Sequence, residues 1–342
     1  MNFDNNPPFK KFKLYKDLTK DSFCTLDLDN SFIVFKSIDN ILYLIYSNEE
    51  KSIISYNIID NKKINEIKNA HNKKVFSYRH ILDTKNERDL IISISCDQNI
   101  KLWNINNFEC ILDLTNINKN GWIYSACFLN NNDNIYIITS NSNYFDQNIE
   151  PIKIYDLNGN KISEINDSNY NTYFINSYYD TKFSKNFIIT GNAGYTTSFD
   201  FNKNKIYHQY IDNENDIEYA CTHDSIIVIL DNEGITKLIE SSVDGHIRIW
   251  NFHTCILFNK IKISNSALYG LCLLNEEYLF IGCEDKTIRI LKLSNGRIMD
   301  HNLIGHKRDV IAIKKIIHPE FKECLLSQGL QKDQIKLWIN SA

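Results

Sequence analysis

A histidine, a serine and an aspartate stand close together in one stretch of the chain, at His71, Ser95 and Asp97, with Trp103 just beyond. Those side chains could run nucleophilic acyl transfer, with serine attacking, histidine taking its proton and aspartate orienting the ring. The same groups, if buried, could instead satisfy one another as a structural hydrogen-bond network. Other chemistry-bearing residues are less suggestive. His246 and His253 lie seven apart, and the chain has neither a His-Glu-x-x-His nor a Cys-x-x-Cys, so no metal site is expected. The nine cysteines mostly sit inside apolar runs, as in Ala126-Cys127-Phe128, which suits buried thiols in a reducing compartment. Gly191 and Gly194 fall in an expected hairpin, and no glycine-rich phosphate loop occurs, so no nucleotide cofactor is expected either. The acidic pairs Glu49-Glu50 and Glu276-Glu277 lie in polar turn segments and read as solvated charges.

What must position these residues is a repeat. Ile100-Lys101-Leu102-Trp103 returns as Ile152-Lys153-Ile154-Tyr155, as Ile247-Arg248-Ile249-Trp250, as Ile288-Arg289-Ile290-Leu291 and as Ile335-Lys336-Leu337-Trp338. Weaker copies end at Tyr56 and Phe199. The large residue therefore falls at 56, 103, 155, 199, 250, 291 and 338, and three of the four tryptophans occupy this slot. Each copy alternates apolar and polar residues with the period of a strand. About four such strands fill each unit. In the second unit they span 75–81, 90–96, 99–105 and 110–114. Seven units of four strands predict an all-β, seven-bladed propeller of four-stranded antiparallel blades, because a radial ring lets neighbouring units bury faces that none could bury alone. The propeller is expected over 21–342 as one domain, after an N-terminal extension at 1–20. The last unit ends after its third strand, so an N-terminal strand should close the ring. Ser22–Leu28 is the first candidate, with Lys11–Lys16 as its competitor.

The second and last units resemble the WD-repeat family. His71 precedes Trp103 by 32 residues, and His306 precedes Trp338 by the same interval, within Gly305-His306. A turn aspartate stands six residues before the large residue at Asp97, Asp244 and Asp285. The resemblance implies a buried relay in which a loop histidine bonds a strand serine and the turn aspartate, and the indole N–H donates to the serine. It assigns the relay to His71, Ser95, Asp97 and Trp103, and places Asp244, Trp250, Asp285, His306 and Trp338 at matching positions. These residues are then structural, and no catalytic residue is expected. Units one, three, four and six depart from the pattern, with Tyr, Tyr, Phe and Leu at the tryptophan slot. The fifth unit lacks Gly-His, and in the last unit Asp333 is only five residues before Trp338.

Function then sits on the loops that open onto one face of the disc. The positions before each inner strand fall near Lys74, Trp122, Thr172, Glu218, Leu268 and Arg308. Trp122, the only tryptophan outside the repeated slot, suits either a protein or peptide hot spot or packing against the edge of its own blade. With 38 basic and 42 acidic residues the net charge is −4, so neither nucleic acid nor an anionic membrane is an expected partner. No run reaches the roughly 18 apolar residues of a membrane helix. The expectation is a non-catalytic scaffold or adaptor that binds proteins or peptides without a cofactor or small-molecule substrate, cytoplasmic, with the nucleus left open. A substrate receptor for ubiquitin ligation is the alternative. Trp103-Asn104-Ile105-Asn106 lacks the arginine such receptors often carry, which lowers it. An RNA- or ribosome-associated scaffold and a propeller enzyme rank below both. Inner-strand segments such as Ile123-Tyr124-Ser125-Ala126 and Leu268-Tyr269-Gly270-Leu271 are small and apolar, which argues against a reactive channel.

Overall fold

The computed structural model describes residues 12–19, 22, 31–115, 117, 123–140, 151–165, 172–212 and 223–340. Seven antiparallel sheets follow one another around a ring, making a seven-bladed β-propeller, and no helix occurs among the described residues. None is therefore long and apolar enough to cross a membrane. The second blade shows the pattern. Its strands are Val75–Asp83, Arg88–Ser95, Ile100–Asn104 and Glu109–Leu114, ordered from the axis outward. The inner strands of adjacent blades touch all round, including Ile33–Lys36 of the first blade against Val310–His318 of the last.

Burial explains the sequence pattern. Leu90, Ile92 and Ile94 of the second blade face Phe128, Ile137 and Tyr155 of the third. The alternate residue Ile91 packs with Trp103 against Tyr43 and Ile45 of the first. Both faces of the middle strands are thus buried, whereas outer strands such as Lys62–Ile67 stay largely exposed. Isoleucine, β-branched and apolar, suits the pleated faces. Asparagine suits the turns: Asn40, Asn61, Asn69, Asn132 and Asn204 all take the left-handed backbone conformation that asparagine tolerates better than most residues.

One irregularity recurs. Between the third and fourth strands the register shifts at Tyr56, Trp103, Tyr155, Phe199 and Trp250, in five successive blades. A bulge at the large residue re-aims its side chain into the space between blades. A second set of bulges lies at the start of inner strands, between Val75 and Ser77, Thr172 and Phe174, and Val310 and Ala312.

Ring closure corrects the first candidate. Phe12–Asp17 is the outer strand of the last blade, paired antiparallel with Lys336–Asn340. Of the 22–28 segment only Ser22 is described, and it bridges Asn48 in the first blade. The 22–28 stretch carries more apolar residues, but an outer strand is mostly wet and needs few. Phe12 alone turns inward, edge-on to Phe280 at 5.6 Å between ring centres. Asp17 supplies the countercharge for the buried Lys336 at 2.5 Å, and Leu18 N–H donates to Ile335 O at 2.8 Å.

Candidate functional site

In the second blade, His71 sits on the loop that enters the inner strand, and its side chain is fully enclosed. Its Nδ1 lies 3.1 Å from Asp97 Oδ2, and its Nε2 lies 2.7 Å from Ser93 Oγ. Trp103 Nε1 donates to the same Ser93 Oγ at 2.8 Å. A carboxylate only accepts, so Nδ1 carries a proton toward Asp97 and, in the neutral ring, Nε2 accepts from the serine hydroxyl. Burial pushes the Asp97 carboxyl up, but the His71 hydrogen bond and the backbone N–H groups of Asn72 and Asn99 outweigh it and hold it down at about 2.

The relay serine is therefore Ser93 and not Ser95. Trp103 stands opposite Ile91, so its indole reaches the diagonal neighbour two residues along the same face. Ser95 is four residues along and out of reach. It braces the turn instead, accepting from Asp97 N–H at 3.1 Å and donating to Lys74 O at 2.9 Å. The missed signal is the strand period, since Ser93 and Ser95 share a face and only the diagonal reach separates them.

The last blade carries a second full relay. His306 Nδ1 lies 2.9 Å from Asp333 Oδ2, His306 Nε2 lies 2.6 Å from Ser327 Oγ, and Trp338 Nε1 donates to Ser327 Oγ at 2.7 Å. Its turn is longer ahead of the aspartate, with Gln331 in the left-handed region. Gly329 makes this possible, because a Cβ there would stand 2.4 Å from Asp333 Oδ2. Both relay serines are wholly buried and held between an imidazole and an indole. Neither offers a face to a substrate carbonyl, so the geometry performs bracing and not acyl transfer.

At the remaining relay positions no loop histidine bridges a strand serine and the turn aspartate. Trp250 Nε1 donates to Glu240 Oε1 at 2.8 Å, and Thr196 Oγ1 donates to Glu240 Oε2 at 2.5 Å. Asp244 accepts from Arg248 Nη2 at 2.5 Å, and Arg248 Nε continues to Asp212 Oδ2 at 3.1 Å. Burial pushes Asp244 up, but the Arg248 guanidinium prevails and holds it far below the usual carboxylate range. Asp285 likewise pairs with Arg289 and takes the Thr287 hydroxyl at 2.6 Å. In the fifth and sixth blades an arginine four residues after the turn aspartate fills the role the loop histidine has elsewhere.

Of the expected partner face, Trp122 and Glu218 lie outside the described residues. Thr172 and Leu268 are buried, which removes them from any surface. Both still belong to the ladder at the inner-strand bulges, Thr172 opposite Asn192 and Leu268 opposite Cys283. Lys74 is half-buried and Arg308 is exposed. Arg308 helps to line an open pocket of about 560 Å³ with Lys307, Gln331, Lys332 and Gln334. The inner strands are not uniformly small and apolar: Arg79 reaches from the second blade to Ile175 O of the fourth at 3.2 Å. His253 Nε2 lies 2.8 Å from Asp180 Oδ2, and His246 Nδ1 lies 3.3 Å from Asp244 Oδ2. No group of three His, Cys, Asp or Glu side chains could hold a metal among the described residues. Compared with known proteins, the chain matches no family model and no curated protein.

Proposed function

We propose that this chain is a non-catalytic scaffold of the WD-repeat kind, soluble and intracellular, which binds partner proteins on the face where the relay loops emerge. One observation carries the reading. The only His–Ser–Asp groupings described are buried and consumed by one another, while the loops they clamp are exposed. Asp97 receives both His71 and the backbone N–H of Asn72, and Asp333 receives His306 and the N–H groups of Lys307 and Arg308. A rigid loop loses little conformational freedom on binding, which is what a docking surface needs. The seven described cysteines are free thiols, which suits a reducing compartment.

The test is affinity capture from the native cell with wild type, Trp122→Ala and Arg308→Glu, read by mass spectrometry. Partners lost in either variant and kept by wild type support the reading. An identical partner set in all three places binding elsewhere, and capture of none by wild type removes the scaffold reading.

A further inference from the structure

The pocket at the last blade has a lining with a chemical bias. Every residue around its 560 Å³ is polar or charged, and four of them are cationic. Lys336 is neutralised by Asp17 and by the nearby Asp333. Lys332 pairs with Glu49 of the first blade at 3.1 Å, but both side chains are about half exposed or more, so an incoming anion can exchange for that weak contact. Lys307 and Arg308 are exposed and have no carboxylate within ion-pair reach among the described residues. The pocket's one carboxylate, Asp333, is turned inward and spent on His306 and on two backbone N–H groups.

Those two N–H bonds set the loop that presents the free cations. The second blade repeats the device, since Asp97 holds His71 and Asn72 N–H just before Lys73 and Lys74. The two blades with complete relays are thus the two whose entry loops carry adjacent cations. A guanidinium carried on a loop braced in this way can meet a carboxylate bidentately.

We infer that this pocket receives the clustered carboxylates of an acidic peptide segment, with Arg308 as the main anchor and Lys307 and Lys332 beside it. This rests on the scaffold reading and names the class of partner. Nucleic acid calls for an extended basic stripe, whereas the net charge here is −4 and the four cations of this pocket line a single concavity. A membrane surface calls for apolar residues beside the cations, and the pocket lining has none.

The test is fluorescence anisotropy on the full chain, with a labelled peptide of three Gly-Glu-Glu repeats and its Gly-Gln-Gln counterpart. The glutamate peptide should bind, more weakly as salt rises, and the glutamine peptide should not. The Lys307→Gln/Arg308→Gln double variant should bind about tenfold more weakly with an unchanged melting temperature. Arg308→Glu, a single exposed change, serves as the second variant. Equal binding of both peptides, unaltered binding by both variants, or preference for inorganic phosphate or phosphatidylserine vesicles over the glutamate peptide overturns the inference. Partners captured from the cell without any binding of the glutamate peptide would remove this inference and leave the scaffold reading standing.

Discussion

Glu240 holds Trp250 in the fifth blade as Ser93 holds Trp103 in the second. Each lies ten residues upstream on the neighbouring strand, and each accepts the indole N–H at 2.8 Å. The serine is backed by a histidine and an aspartate on its own blade. The glutamate is backed by Thr196 of the blade before it, and stands opposite Arg248 on its own. One geometric slot is thus filled by two chemistries, and the second ties two blades together.

Removing that carboxylate should be costly. Glu240→Ala strands the indole N–H, takes the acceptor from the Thr196 hydroxyl and removes one of the carboxylates near Arg248, which keeps Asp244 and Asp212, for a loss of about 3 kcal/mol. Glu240→Gln keeps an acceptor for the indole and should lose less. Urea unfolding of the three proteins checks the order. Equal midpoints for wild type and Glu240→Ala would show that the bridge between blades contributes nothing.

The relays make a parallel prediction. Trp103→Phe keeps an aromatic ring against Tyr43 and Ile45 but removes the donor to Ser93, and should destabilise the fold by about 1–3 kcal/mol. Trp338→Phe should cost a similar amount through Ser327. If Trp103→Phe melts with wild type while Glu240→Ala does not, the tryptophans matter as volume and the relay hydrogen bonds do not.

The blade count and strand order were legible because a strand buried on one face repeats every two residues and a blade repeats every 41 to 52. In the second blade, His71, Asp97 and Trp103 were legible from the family resemblance that their spacing carries. What escaped was whatever spacing does not encode. Ser93 and Ser95 share a face, so choosing between them required the cross-strand register. Asp333 broke the expected offset, and only the space beside Gly329 shows how the longer turn still delivers it to His306. Thr172 and Leu268 looked like loop positions because the inner-strand bulges shift where the ladder starts.

Acid should loosen the relays. Asp97 titrates near 3.8 when unfolded and at about 2 in the fold. The unfolded chain binds more protons between those values, so the contribution of Asp97 is complete above about pH 4 and is lost progressively as pH falls toward 2. Asp333 is shifted in the same direction, with the His306 hydrogen bond overcoming the effect of burial. His306 itself is held below its ordinary 6.5, chiefly by burial, so the unfolded chain takes up that proton first and stability starts to fall below about pH 6.5. Asp97→Asn should be less stable than wild type at pH 7 and converge with it toward pH 2. Parallel denaturation midpoints across that range would separate Asp97 from the acid response.

The seam is the last test. Phe12 is buried against Phe280 of the sixth blade, and Asp17 neutralises Lys336, so a strand of six residues both covers an apolar edge and satisfies a buried charge. Phe12→Ala should cost about 3 kcal/mol. Deleting residues 1–17 should do more, because it uncovers the Lys336–Asn340 edge and leaves the Lys336 ammonium with only the more distant Asp333. The truncated chain is expected to associate through that edge, which size-exclusion chromatography with light scattering would register as species larger than the monomer. A truncated protein that stays monomeric and melts with wild type would mean that the ring is held by the contact between the first and last inner strands and not by the seam.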